Sequence, residues 1–237
     1  MSTVFAGSSD CRVGSGAQTS WANARSNGVV FNNTQTNFQF GIYNIYAGGR
    51  GANYFYNVRS YFGFDLSGLS GTVSSATISI YSKNLGTAAD QEATMYLKEA
   101  TSVPTNSSGF TNVFSSGTTF GTALGNTTTF GIQYHDVSVS AAGITAINNQ
   151  IGSGTFAVGA VGHYDNANSA PSLGGNHVRI HIYYSEDSSG AGTDKDPKLT
   201  LTFTSGYTHT VMGVAAGSIG KVKGVATANI GKVIGVD

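Results

Sequence analysis

Two-carboxylate hydrolysis needs a pair of acids held across a cleft, one giving a proton and the other attacking or activating water. The chain has 12 Asp and Glu residues. Asp65, Asp136 and Asp187 fall at expected strand ends or turns, where an Asp satisfies backbone N–H groups. Structural caps are the expectation for these three. Glu186, Asp187, Asp194 and Asp196 crowd into one stretch. Hard oxygen ligands at that density make a weak Ca²⁺ candidate, without the fixed spacing of an EF-hand. No other metal and no cofactor is expected.

His135-Asp136 and His163-Tyr164-Asp165 raise the question of a Ser-His-Asp set. No Gly-x-Ser-x-Gly elbow accompanies them, and Gly14-Ser15-Gly16 and Gly152-Ser153-Gly154 read as loops. His177 and His181 would share a strand face about 13 Å apart, too far to bind one metal directly. CxxC and HExxH are absent. The expectation is a protein without catalysis.

Aromatic residues offer binding chemistry instead. Trp21, Tyr43, Tyr46, Tyr54, Phe55, Tyr56 and Tyr61 have ring faces able to stack on sugar C–H faces. Tyr43, Tyr46, Tyr54 and Tyr56 are the candidate glycan contacts, because Gly48-Gly49-Arg50-Gly51 breaks their segment with a loop tip. The competing use of such rings is packing within and between strands.

Strands must position these groups, since period two dominates the chain. In 73–83, Ala76, Ile78 and Ile80 share one face. In 93–99, Met95 and Leu97 oppose Tyr96 and Lys98. Segments 129–139, 155–161, 177–184 and 198–204 repeat the theme, and aromatic-rich stretches at 38–46 and 54–64 add two or three more strands. Gly, Ser and Asn clusters at 47–53, 67–72, 84–90, 105–109, 115–128 and 165–176 read as connections. Eight or more strands with such punctuation predict an all-β jelly-roll sandwich over residues 1–205. One short helix is expected over 140–151, with Ile144, Ile147 and Ile151 on one face, Ser138 or Ser140 as cap, and Gly152 and Gly154 as its stop.

Composition sets limits on function. Gly occurs 33 times in 237 residues, about twice the usual share. Charged residues are 10% of the chain and balance to zero. A neutral chain lacks the cationic surplus that nucleic acid requires. No apolar run is long enough to span a membrane, and a single Cys, Cys11, excludes an internal disulfide. The N-terminus shows no secretory leader pattern. Low charge suits β-rich proteins hydrated through hydroxyls and amides, and also subunits held in an assembly.

After residue 205 the composition changes to an 11-residue repeat. Val211-Met212-Gly213-Val214 aligns with Val222-Lys223-Gly224-Val225 and Val233-Ile234-Gly235-Val236, and Ile219-Gly220-Lys221 aligns with Ile230-Gly231-Lys232. Paired Gly and β-branched Val argue against a helix. Val-x-Gly-Val is expected as a short strand and Ile-Gly-Lys as a bend. Little more than two copies are present, too few to bury their own apolar faces. Residues 206–237 are thus an extended arm for oligomerisation or docking through Val211, Val214, Ile219, Val222, Val225, Ile230, Val233 and Val236, the alternative being a disordered Gly-rich tail.

Two resemblances follow. Arg59-Ser60-Tyr61-Phe62-Gly63-Phe64-Asp65-Leu66-Ser67-Gly68-Leu69, then Thr72-Val73-Ser74-Ser75-Ala76-Thr77-Ile78, resembles the opening of a DNRLRE-type (disaggregatase-related) β-sandwich module. Asp136-Val137-Ser138, Ser185-Glu186-Asp187 and Asp196-Pro197-Lys198-Leu199-Thr200-Leu201 are similar to its later elements. That likeness implies a jelly roll used more for binding than for catalysis. The repeat resembles terminal tails of tailed-bacteriophage virion proteins. It implies a structural protein such as a capsid decoration or a head or tail fibre, located in the virion. The implied partners are copies of itself, for example in a trimer, and other virion proteins. The alternative is a carbohydrate-binding module of a secreted or cell-surface protein, with surface glycans as its ligands.

Overall fold

The computed structural model describes residues 1–7, 9–32, 41–49, 52–85, 94–113, 118–124, 133–172, 178–182, 195–204, 221–222 and 225–226. In chain order its strands are β1 (Ser2–Phe5), β2 (Cys11–Gly14), β3 (Val30–Asn32), β4 (Gly41–Gly49), β5 (Ala52–Asp65), β6 (Val73–Leu85) and β7 (Met95–Glu99). They continue with β8 (Thr119–Leu124), β9 (Tyr134–Ser138), β10 (Thr155–Gly162), β11 (Val178–Ile182), β12 (Lys198–Phe203), β13 (Lys221–Val222) and β14 (Val225–Ala226). Helices α1 (Trp21–Ser26), α2 (Ala141–Gln150) and α3 (His163–Ala167) lie between them, with a 3₁₀ turn at Ser107–Thr111.

The chain is mostly β, built on two antiparallel sheets. β1, β12, β6 and β9 form the first, with Ile78 paired to Leu199 on one edge and Val137 on the other. β5 organises the second. Ser60 opposes both Arg12 and Ala160, while Val58 opposes both Gly14 and Tyr43. β2 therefore runs along one edge of β5, and β4 and β10 follow one another along the other. β7 and β8 extend the sheet beyond β10, β3 pairs with β2, and β11 pairs with β4. β6 joins the sheets, since its last residues pair with β11.

The alternation read in β6, β7 and β12 is the inner face of this sandwich. Ala76, Ile78, Ile80, Met95, Leu97, Leu199 and Leu201 are buried in one core with Phe62, Phe64, Phe120, Val137, Phe156 and Val158. Phe120 and Phe64 both pack on Phe156, with ring centroids 5.3 and 6.4 Å away. α2 closes the core through Ile147. Ser140 is its N-cap, accepting from Gly143 N, and Gly152 takes up φ +78° just beyond its end. That left-handed backbone is the conformation glycine adopts without strain.

A second layer covers the outer face of the second sheet. Cys11, Val13, Tyr61, Ala157 and Val161 are buried there under Phe110 and Val113. β10 is thus buried on both faces, all but its first residue, which explains its unbroken small and apolar sequence. Gly159 is fixed by this layer. A Cβ on it would lie 2.3 Å from Val113 Cγ2.

Several expectations are corrected. The expected helix over 140–151 is α2, and the described residues add two shorter helices and a 3₁₀ turn that were not expected. α1 and α3 have six and five residues, too few for a periodic apolar stripe. The 3₁₀ turn falls in the expected 105–109 connection and α3 enters the 165–176 one. β8 occupies part of 115–128, read as a loop from its Gly and Thr content, because pairing with β7 overrides local composition. Asp136 lies within β9, exposed and opposite Ser79, and does not end a strand. In the repeat, Val222 pairs with Val225. Val222 and Val225 thus lie on two paired antiparallel strands and not on one short strand, and Lys223 and Gly224 lie outside the described residues.

Candidate functional site

The densest chemistry among the described residues lies on the outer face of the second sheet. Period two along β5 puts Asn57, Arg59 and Tyr61 on that face, and all three are fully buried. Three other segments converge on Arg59. α1 brings Arg25 in its last turn, held by the Ser20 cap at its start. The 3₁₀ turn brings Phe110, and α3, directly after β10, brings Asp165.

Arg59 grips Asp165 with two parallel bonds, Nε to Oδ2 at 2.6 Å and Nη2 to Oδ1 at 2.9 Å. This fork geometry is the strongest a guanidinium offers a carboxylate. Its remaining donors meet Phe110 O at 2.7 Å and Arg25 O at 3.0 Å, and its guanidinium carbon sits 4.1 Å from the centre of the Phe110 ring. Tyr61 donates its hydroxyl to the same Phe110 carbonyl at 2.6 Å. Arg25 closes the cluster from outside, with Nε on Asp165 Oδ1 and Nη2 on Asp165 O, both at 3.1 Å, and Nη1 on Asn168 Oδ1.

Burial alone would raise the Asp165 pKa, but Arg59, Asn57 and Arg25 outweigh it and hold the carboxyl below its ordinary range. Burial opposes the Arg59 charge, and Asp165 restores it with a net upward shift. Asp165 is therefore a fixed carboxylate and cannot serve as a proton donor near neutral pH. Burial pushes the Tyr61 hydroxyl up, and burial with Asp10 pushes the Cys11 thiol up. A buried protonated thiol is a poor nucleophile. The cluster works as a clamp, tying β5, α1, the 3₁₀ turn and α3 together.

Lys98 borders the clamp. It is half-buried on β7 and donates to Asn166 Oδ1 at 3.3 Å. Burial depresses its pKa, Asp165 opposes that, and Arg25 and Arg59 add to it.

The residues singled out by sequence are spread elsewhere. Tyr54 and Tyr56 are half-buried on β5, opposite Ala47 and Ile45. Tyr43 stands opposite Val58, in step with them, whereas Tyr46 stands opposite Phe55, out of step. Trp21 and Phe55 pack together at 6.1 Å, so these two rings serve the interior. Of the Ca²⁺ candidates, Asp196 is buried and its carbonyl accepts from the Tyr134 hydroxyl at 2.9 Å; Glu186, Asp187 and Asp194 lie outside the described residues. Asp65 caps its turn by accepting from Ser67 N at 2.9 Å. In the arm, Val222 and Val225 pair, while Val211, Val214, Ile219, Ile230, Val233 and Val236 lie outside the described residues. No helix among the described residues is long and apolar enough to cross a membrane.

Sequence reasoning missed Arg25 and Arg59 and weighed Asp165 only beside His163. Arg59 lies 106 positions from Asp165 and 34 from Arg25. The one available signal was an Arg in the middle of an aromatic strand, where a charge needs a partner.

No protein-family model matches the chain, and no curated protein matches it significantly.

Proposed function

We propose that this chain is a non-enzymatic structural subunit of a bacteriophage virion, a capsid decoration or a head or tail fibre-type appendage. In this reading a jelly-roll body projects outward, and residues 206–237 anchor it by assembling with other copies or docking on a neighbouring virion protein. The observation that carries it is the repeated arm. Its central copy pairs Val222 with Val225 in a hairpin of two residues per strand. An isolated hairpin of that size is not stable in water, and too few copies are present to bury one another. Neighbouring chains supply the missing cover. A charge content of 10% fits a surface kept in an assembly.

The test compares the full chain with one ending at residue 205. β12 closes against β6, and Thr204 N bonds Thr72 O at 2.8 Å, so the body's own strands end before the cut. Light scattering is expected to find an oligomer for the full chain and a folded monomer for the shorter one. Only the full chain should co-sediment with phage particles. Two monomers and no difference in sedimentation would reject the proposal.

A second reading has one observation in its favour. Tyr54 and Tyr56 remain half-exposed on β5, and their rings would offer faces to a glycan. A glycan array should then show binding that Tyr54→Ala or Tyr56→Ala removes, and an array with no binding removes this reading.

A further inference from the structure

One edge of the first sheet is open. β1 pairs with β12 from Ser2 to Phe5 in unbroken register, and among the described residues nothing pairs with its other side. Ala6 N donates to Pro197 O at 2.8 Å. Bonded and non-bonded pairs alternate along an antiparallel ladder, so Val4 and Ser2 are the residues bonded to Leu199 and Leu201. Thr3 and Phe5 therefore point their N–H and C=O groups away from β12. Their side chains are exposed, Phe5 by 38%, while Val4 packs on the core. Sheet edges are ordinarily guarded by a charge, a proline or a bulge, and β1 has none of these. Lys198, beside Phe5, carries its charge to the Tyr134 ring on β9, 4.0 Å away, and so off this edge.

We propose that β1 pairs antiparallel with β1 of a second copy, about a two-fold axis at Val4. This register engages all the outward groups of Thr3 and Phe5 within the strand. Thr3 meets Phe5 of the second copy and Phe5 meets its Thr3, so each outward N–H faces a C=O. Each Phe5 ring then lies across from a Thr3, an aromatic and β-branched pair of the kind that stabilises paired strands. Val4 faces Val4 on the inner side and continues the core face. Both edges are uncharged, so no like-charge repulsion opposes the contact. So short a contact does not by itself repay the freedom lost on association. The inference therefore rests on the assembly reading, in which the arms hold copies together and raise their effective concentration. A chain ending at residue 205 keeps β1 yet stays a monomer.

The test has two arms. Hydrogen exchange of the Thr3 and Phe5 amides is followed in the full chain and in the chain ending at residue 205. A full chain carrying Val4→Cys is oxidised, with Thr3→Cys and the wild type, whose Cys11 is buried, beside it. The axis brings the two altered positions to a Cα separation of about 4.5 Å, within disulfide reach, whereas Thr3→Cys leaves its thiols offset along the strands. Both amides are expected to exchange about tenfold more slowly in the full chain than in the shorter one. Val4→Cys should form a disulfide-linked dimer that Thr3→Cys and the wild type do not. Slow exchange without that disulfide means that another segment, such as an arm, covers the edge, and overturns the proposal. Fast exchange in the full chain also overturns it. If light scattering then finds an oligomer, the assembly reading survives; if it finds a monomer, both fall. Should Val4→Cys fail to fold, an equal mixture of Thr3→Cys and Phe5→Cys chains, altered at exposed positions, takes its place. Cross-links between the two variants support the two-fold register, and their absence overturns it.

Discussion

Arg59 and Asp165, 106 positions apart in the chain, form a two-bond ion pair with both side chains shut off from solvent. The pair links the central strand of the second sheet to the short helix after β10. Its value lies in keeping both charges compensated, because either one alone would be stranded in the interior.

Removing one partner should therefore be costly. Asp165→Asn is expected to lose about 3–5 kcal/mol, the usual cost of leaving a buried charge unmatched. The double variant Arg59→Met with Asp165→Leu should lose less than Asp165→Asn alone. Urea unfolding of the variants measures both. A double-variant loss equal to the sum of the losses of the two single variants would mean that the pair is not coupled.

The same pair makes stability depend on pH. The folded Asp165 pKa lies below its unfolded value of about 3.9. A depressed carboxylate contributes stability that is complete above the unfolded value and is lost as pH falls through the folded one. The urea midpoint should thus decline below about pH 4. Asp165→Asn should flatten that decline, which unfolding curves between pH 7 and 2 would record.

Gly159 tests the outer layer. Gly159→Ala puts a methyl 2.3 Å from Val113 Cγ2 and 2.5 Å from its Cβ. Overpacking of this kind costs about 1–3 kcal/mol. Adding Val113→Ala should recover part of the loss. A purely additive double variant would show that the two side chains do not meet.

Asn148 tests the link between helix and sheet. Its Oδ1 accepts from Val73 N at 2.8 Å and its amide donates to Val73 O at 3.0 Å. Asn148→Ala leaves both backbone groups without this partner and should cost about 1–3 kcal/mol, read from the thermal midpoint.

Cys11 offers a probe of opening. Its side chain is fully buried, its thiol donates to Pro104 O at 3.4 Å, and its pKa is raised. Iodoacetamide at pH 8 should label it only as fast as the protein unfolds. Rapid labelling of the native protein would mean that the outer layer opens locally.

The sequence by itself determined the inner face. Ala76, Ile78 and Ile80, Met95 with Leu97, and Leu199 with Leu201 alternate so regularly that a half-buried strand is the only element able to use them. Ser140 and Gly152 likewise announced the ends of α2, because caps act through the few residues beside them. The outer face was decided by tertiary structure alone. β10 is covered on both sides, so the alternation read over 155–161 does not mark an inner and an outer face. Arg25, Arg59, Lys98 and Asp165 sit on four elements distant in the chain, and no spacing rule connects them. What unites them is the exclusion of water when α1, the 3₁₀ turn and α3 pack over the sheet, which obliges each buried charge to find its partner there.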